Sequence, residues 1–107
     1  MTSSSAYNGR FVLGERSSVA LRHYFDVCDL FEVGKDSIIA GQGSAFFTHS
    51  KGLDPVDYVE PIRIGDWCYV GSNICCVPGV TVGHHTFVGM GAVLVGDYSD
   101  APYVLLG

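Results

Sequence analysis

Residues 64–99 read, in blocks of six, IGDWCY VGSNIC CVPGVT VGHHTF VGMGAV LVGDYS. The first place of each block holds Ile64, Val70, Cys76, Val82, Val88 and Leu94, all apolar. Glycine follows at Gly65, Gly71, Gly83 and Gly89. The fifth place holds Cys68, Ile74, Val80, Thr86, Ala92 and Tyr98, mostly small or aliphatic. A period of six matches neither the helix repeat of about 3.6 nor the strand repeat of about 2. It fits a triangular solenoid, in which six residues make one short strand and one corner and three blocks close a coil of about 18 residues. Ile64 then stacks beneath Val82, Val70 beneath Val88 and Cys76 beneath Leu94, with apolar side chains filling the prism. Glycines are expected to relieve unusual dihedrals at the corners. Pro78-Gly79 is a turn pair at one of them.

Upstream the same spacing is weaker. Leu21, Val27, Val33, Ile39 and Ala45 lie six apart, with fifth-place partners Phe25, Phe31, Ser37, Gly43 and His49. Between the two series, KGLDPVDYVEP at 51–61 is polar, holds two prolines and breaks the register. It reads as a loop thrown out from a corner, a place where scaffolds commonly carry function. Residues 1–10 read as a polar flexible tail. Residues 11–107 read as one β-helix domain, all-β, whose first coil near 11–22 is poorly defined.

The chain has 107 residues, 48% of them hydrophobic, with six Lys+Arg against eleven Asp+Glu and a formal net charge of -5. So much apolar surface in so small a domain suits a stacked architecture or an oligomer interface. The acidic balance argues against nucleic-acid binding, which needs a basic face. It argues equally against an anionic membrane surface. No apolar stretch is long enough to span a bilayer, and no signal peptide follows the polar start. Cys28, Cys68, Cys75 and Cys76 form no C-x-x-C pattern and read as small core hydrophobes of a reducing cytoplasm.

The stretch PIRIGDWCYVGSNICCVPGVTVGHHTFVGMGAVL is similar to the C-terminal coils of the hexapeptide-repeat O-acetyltransferases, such as the galactoside, maltose and polysaccharide-modifying enzymes. SIIAGQGSAFFTHS resembles the segment that presents their catalytic histidine just before a loop. The resemblance covers roughly residues 11–107. It implies a left-handed parallel β-helix, a homotrimer, and acetyl-CoA lying in a groove between subunits. It also implies a histidine general base acting on a hydroxyl of a sugar or polysaccharide acceptor. By position that base is His49. Ser72 matches a residue that contacts the pantetheine arm, Met90 a position whose backbone N–H binds the donor, and Tyr69 an aromatic position lining the site.

The chemistry asks for a base to activate a hydroxyl, which an imidazole suits. It also asks for N–H donors at the developing oxyanion. His49 needs a partner to fix its tautomer. Asp54, Asp57 and Glu60 in the following loop, or a main-chain carbonyl, are the candidates, and these acids can also line the acceptor site together with Asp26. No metal is expected. His84 and His85 read as solvated corner residues, and His23 as structural. The trimeric zinc carbonic anhydrases share the repeat but need three converging imidazoles, and His23, His49, His84 and His85 are wrongly spaced for that.

Two departures from the family pattern favour a second reading, a truncated, non-catalytic trimeric scaffold or binding module of the same fold. The family's Thr-Lys after its last Gly-x-Gly is Val95-Gly96 here, and beyond Arg63 the chain has no Lys or Arg. Charge-assisted phosphate contacts are therefore missing, and weak CoA affinity is expected. The ending at Tyr103–Gly107 looks like the family's ending cut short.

Overall fold

The computed structural model describes residues 9–51, 57–99 and 105–106. Its strands run in order β1 (Arg10–Leu13), β2 (Ser18–Val19), β3 (Tyr24–Asp26), β4 (Leu30–Val33), β5 (Ile38–Ile39), β6 (Ala45–Phe47), β7 (His49–Lys51), β8 (Asp57–Val59), β9 (Ile62–Ile64), β10 (Tyr69–Val70), β11 (Cys75–Cys76), β12 (Thr81–Val82), β13 (Phe87–Val88), β14 (Val93–Leu94), β15 (Asp97–Tyr98) and β16 (Leu105–Leu106). Three parallel sheets result. Face A is β1-β4-β9-β12-β15, face B is β2-β5-β10-β13-β16, and face C is β3-β6-β11-β14. The chain visits A, B and C in rotation, which makes a parallel β-solenoid of triangular section.

The stacking expected for the C-terminal half is observed. Ile64 pairs with Val82, Val70 with Val88 and Cys76 with Leu94. All six are buried, and so are the fifth-place residues Cys68, Ile74, Val80, Thr86 and Ala92. Upstream, Val33 and Ile39 keep their inward places beneath Ile64 and Val70. The remaining upstream register differs from expectation. Phe46, not Ala45, stacks under Cys76, because the Gly41-Gln42-Gly43 corner adds one residue. Leu21 is exposed at its corner, and Val27 follows the end of β3. The inward residues of the first coil are Leu13, Val19 and Phe25, under Val33, Ile39 and Phe46. The last coil is also irregular: Tyr98 pairs with Val82, two places before the repeat would put a residue there.

The described ends of the 51–61 loop belong to two paired strands, and residues 52–56 lie outside the described residues. β7 and β8 pair antiparallel, His49 opposite Val59 and Lys51 opposite Asp57. His49 thus belongs to this two-stranded arm itself, and Ile62 is already core. Arg10 lies in β1, so the ordered coil starts inside the stretch read as a tail, while residues 1–8 lie outside the described residues.

The corners divide two tasks between neighbouring residues. At the A–B corner the left-handed dihedral falls on Arg16, Asp36, Trp67 and His85, at φ of 55 to 60°. Such a residue costs about 1–2 kcal/mol unless locally compensated. Here the N–H groups of Asp36, Trp67 and His85 donate to the carbonyls of Glu15, Lys35 and Asp66 on the coil below. The glycines before them serve another purpose than the expected one. A Cβ on Gly65 would meet the His84 nitrogen at 2.9 Å, and one on Gly83 the Ser99 carbonyl oxygen at 2.8 Å. They let successive coils approach. Pro78-Gly79 does behave as a turn pair, with Gly79 at φ 87°.

The same corner carries a polar ladder. Ser17, Ser37 and Cys68 donate side-chain hydrogen bonds to the carbonyls of Gly34, Gly65 and Gly83. Cys68 is therefore a rung and not merely an apolar filler. Outward residues differ sharply between faces. Face A presents Glu32, Arg63, Thr81 and Asp97. Face B presents Ile38, Tyr69 and Phe87, with the two rings stacked at 4.9 Å. Face C presents Tyr24, Ala45, Cys75 and Val93.

Candidate active site

His49 opens β7 at the edge where face C turns into face A. The residue before it, Thr48, is fully buried, and its hydroxyl clamps two coils together. It accepts the N–H groups of Cys28 and Asp29 at 2.9 and 3.0 Å and donates to the Asp26 carbonyl at 2.7 Å. Asp26 ends β3 directly below. Its Oδ2 is in hydrogen-bond contact with His49 Nδ1 and also accepts the His49 backbone N–H at 3.2 Å. Its Oδ1 accepts the Cys28 thiol at 3.3 Å, and the Cys28 sulfur lies 3.5 Å from His49 Nδ1.

The Asp26 side chain is only 10% exposed, whereas the His49 side chain is 44% exposed. A sequestered carboxylate thus holds one nitrogen of a ring that reaches solvent. Nε2 is the nitrogen left for a ligand. Burial pushes the Cys28 thiol up, and the Asp26 carboxylate beside it adds to that, which keeps the sulfur protonated.

The fold thus picks Asp26, expected only as acceptor lining, as the partner of His49. Asp54 lies outside the described residues. Asp57 stands in β8 opposite Lys51, farther along the arm than the His49–Val59 pair. Glu60 donates its N–H to the Thr48 carbonyl at 2.9 Å, and its carboxylate covers Gly79. The signal that could have found Asp26 is the extra residue at Gly41–Gly43. Once that residue is allowed, together with two more in the corner between Phe25 and Val33, Phe25 pairs with Phe46 and Asp26 with Phe47, two places from His49.

Ser72 and Met90 lie together at another edge, between faces B and C. Gly91 donates its N–H to the Ser72 carbonyl at 2.9 Å, and the Ser72 hydroxyl accepts the Gln42 N–H at 3.2 Å. Met90 is largely exposed. An open depression of about 530 Å³ follows this edge past Ala20, Leu21, Gly41, Gln42 and Ser72. Tyr69 is on face B in its stack with Phe87. Within one chain, then, His49 and the Ser72–Met90 edge stand on opposite margins of face C.

The other histidines make main-chain or ring contacts. His84 Nδ1 accepts the Asp66 N–H at 2.7 Å, and His85 stacks on Trp67. His23 Nδ1 accepts the Ser44 N–H at 3.2 Å, while its Nε2 is buried without a hydrogen bond of good geometry. Burial pushes the His23 imidazole down, and the nearby Ala40 and Gly41 carbonyls only partly oppose this. No described helix is long and apolar enough to cross a membrane.

No family model matches the chain. Over 50 residues it is 31% identical to the Saccharomyces cerevisiae protein "Putative acetyltransferase YJL218W", a match covering 47% of this chain and 26% of that protein. Among solved structures it resembles the Vibrio cholerae hexapeptide-repeat acetyltransferase VCA0836 in complex with acetyl-CoA, with a TM-score of 0.81 and 24% identity over 89% of this chain and 54% of that one. A Clostridium difficile maltose O-acetyltransferase gives a TM-score of 0.63 and 18% identity, covering 90% of this chain and 60% of that one. The chain thus spans little more than half the length of the solved structures it matches. Its fold is the parallel β-helix of the hexapeptide-repeat acetyltransferases, with the same hand, since an oppositely wound coil would not superpose so closely.

Proposed function

We propose that a chain folded in this way transfers an acetyl group from acetyl-CoA to a hydroxyl of a carbohydrate acceptor, with His49 as general base. The observation that carries the proposal is the Asp26–His49 pair, fixed from below by Thr48 and open to solvent on its outer side. Held through Nδ1, a neutral His49 presents Nε2 as a proton acceptor. As the acceptor oxygen attacks the thioester carbonyl, Nε2 takes the hydroxyl proton, and Asp26 stabilises the imidazolium that forms. The same proton then goes to the departing thiolate, which balances the reaction and restores the base.

Acetyl-CoA supplies the activated acyl group. The small-residue edge beside Ser72 suits a slender pantetheine arm, and exposed Met90 stands at its upper end. Because that edge and His49 are separated within one chain, the site is completed between copies, His49 from one and the Ser72–Met90 edge from the next. A closed homotrimer meets this requirement, since head-to-tail contacts close a ring. The apolar outer columns of faces B and C support it, as does charge on face A. The absence of disulfides among the described residues fits a reducing, cytoplasmic setting.

The scaffold reading keeps one observation in its favour. Val95 and Gly96 offer no cation near the Ser72–Met90 edge for the CoA phosphates. Calorimetric titration with acetyl-CoA, alongside an acceptor screen and the His49→Ala variant, separates the two. Saturable binding near one site per chain, with turnover that His49→Ala abolishes, supports the enzyme. No heat and no thermal stabilisation at millimolar acetyl-CoA leaves the scaffold.

A further inference from the structure

Cys28 is buried outside the contiguous apolar cluster and takes no part in the acetyl-transfer chemistry just described. Its sulfur, one Asp26 carboxylate oxygen and His49 Nδ1 converge, the three donor atoms lying within 4.8 Å of one another. Sequence spacing hid this set: Cys28 read as a core thiol, and His49 reaches it only across a coil boundary.

The donor spacing can be compared with what a metal requires. Tetrahedral zinc, with bonds of about 2.3 Å to sulfur and about 2.0–2.1 Å to nitrogen or oxygen, sets its ligands about 3.3–3.6 Å apart. Cys28 Sγ is 3.3 Å from Asp26 Oδ1 and 3.5 Å from His49 Nδ1. Two of the three edges of a tetrahedral ligand face are therefore already in place. Only the Asp26–His49 edge must open, and the half-exposed imidazole is free to turn for that. Thiolate, imidazole and carboxylate together suit zinc rather than the all-oxygen sets of magnesium or calcium. Cys28 is buried and the Asp26 side chain is 10% exposed, while the His49 side chain is 44% exposed, so the fourth position faces solvent and takes water.

We propose that Asp26, Cys28 and His49 form a zinc-binding site, and that a bound Zn²⁺ switches the acetyl-transfer site off. Binding releases the Cys28 thiol proton to solvent as the S–Zn bond forms, with no change of oxidation state. Zinc occupies the Nδ1 lone pair, so the neutral ring must carry its proton on Nε2. That nitrogen then donates and no longer accepts. The inhibitory half rests on His49 being the general base, whereas the metal site itself does not.

The test uses tag-free, fully reduced chain, first with Co²⁺ as a spectroscopic probe and then with Zn²⁺ by calorimetry, without acetyl-CoA. One Co²⁺ per chain with a thiolate-to-cobalt charge-transfer band is expected, displaced by Zn²⁺. Cys28→Ala should abolish the band. It should also weaken zinc binding by more than the roughly 10–100-fold that supporting residues around a metal typically contribute. His49→Ala, an exposed position that leaves the core intact, should weaken it comparably and covers the case in which Cys28→Ala does not fold. Absence of a band, or a band that survives in either variant, overturns the site. Zinc that binds without lowering turnover overturns the switch. Absence of turnover in chelator-treated protein counts against the acetyltransferase reading and leaves the metal measurement standing.

Discussion

The Thr48 hydroxyl donates to the main-chain carbonyl of Asp26 at 2.7 Å, one residue before the histidine whose ring Asp26 holds. The dyad is therefore positioned by a buried clamp between coils and not by the arm that carries His49 outward. Thr48→Val keeps the shape and removes the clamp, leaving the Cys28 and Asp29 N–H groups without their acceptor. Each such loss costs about 1–3 kcal/mol when buried. Denaturant unfolding should show a destabilisation of that size, with kcat reduced in the fraction that stays folded. Thr48→Ser should restore most of both.

Turnover should report the dyad directly. His49→Ala should cost the roughly 10²–10⁴-fold that a general base contributes. Asp26→Asn should lower kcat by less, with little change in KM for acetyl-CoA, because the amide still reaches Nδ1 but no longer stabilises an imidazolium. Equal activity in wild type and Asp26→Asn would remove Asp26 from the mechanism.

Face B supplies the prediction on assembly. Tyr69 and Phe87 form an exposed ring stack beside Ile38, and a charge placed there should be tolerated by the monomer. Phe87→Asp should convert the proposed trimer to monomer in sedimentation velocity at micromolar concentration and abolish turnover, since the proposed site spans two copies. Buried aromatic anchors at interfaces commonly contribute at least 2 kcal/mol. A wild-type monomer under the same conditions would sink both the trimer and the shared site.

His23 should make stability fall with acid. Burial lowers its folded pKa below the unfolded value of about 6.5, so the unfolded chain binds more protons in the window between the two. The stabilisation is fully present above about pH 6.5 and is lost as pH falls toward the depressed folded value. His23→Asn keeps an acceptor for the Ser44 N–H and should flatten that part of the stability–pH curve, read from urea midpoints.

The N-terminal half of the core depends on rings. Phe25 lies face to face with Phe46 at 5.1 Å, and Phe31 tilts against both. Phe46→Ala should cost about 3–5 kcal/mol, since neighbouring coils cannot collapse into the space. Thermal unfolding of the variant measures this, and a change below 1 kcal/mol would contradict the stacking described.

What the amino-acid sequence determined alone is the C-terminal prism. From Ile64 to Leu94 every block has six residues, so each inward side chain must lie above the one 18 places earlier, and hydrophobic burial leaves little choice. Composition also excluded a basic binding surface without reference to any contact. The first coils were less legible because their corners carry extra residues, two between Phe25 and Val33 and one at Gly41–Gly43, the last of which moves Phe46 into the place Ala45 would hold. In a strand a shift of one turns every side chain to the other face. Only the tertiary structure placed Asp26 and Cys28 against His49, because that contact forms between coils across an irregular corner and no local pattern encodes it. It also divided His49 from Ser72 and Met90, since residues close in the repeat are carried to different edges each time the chain turns.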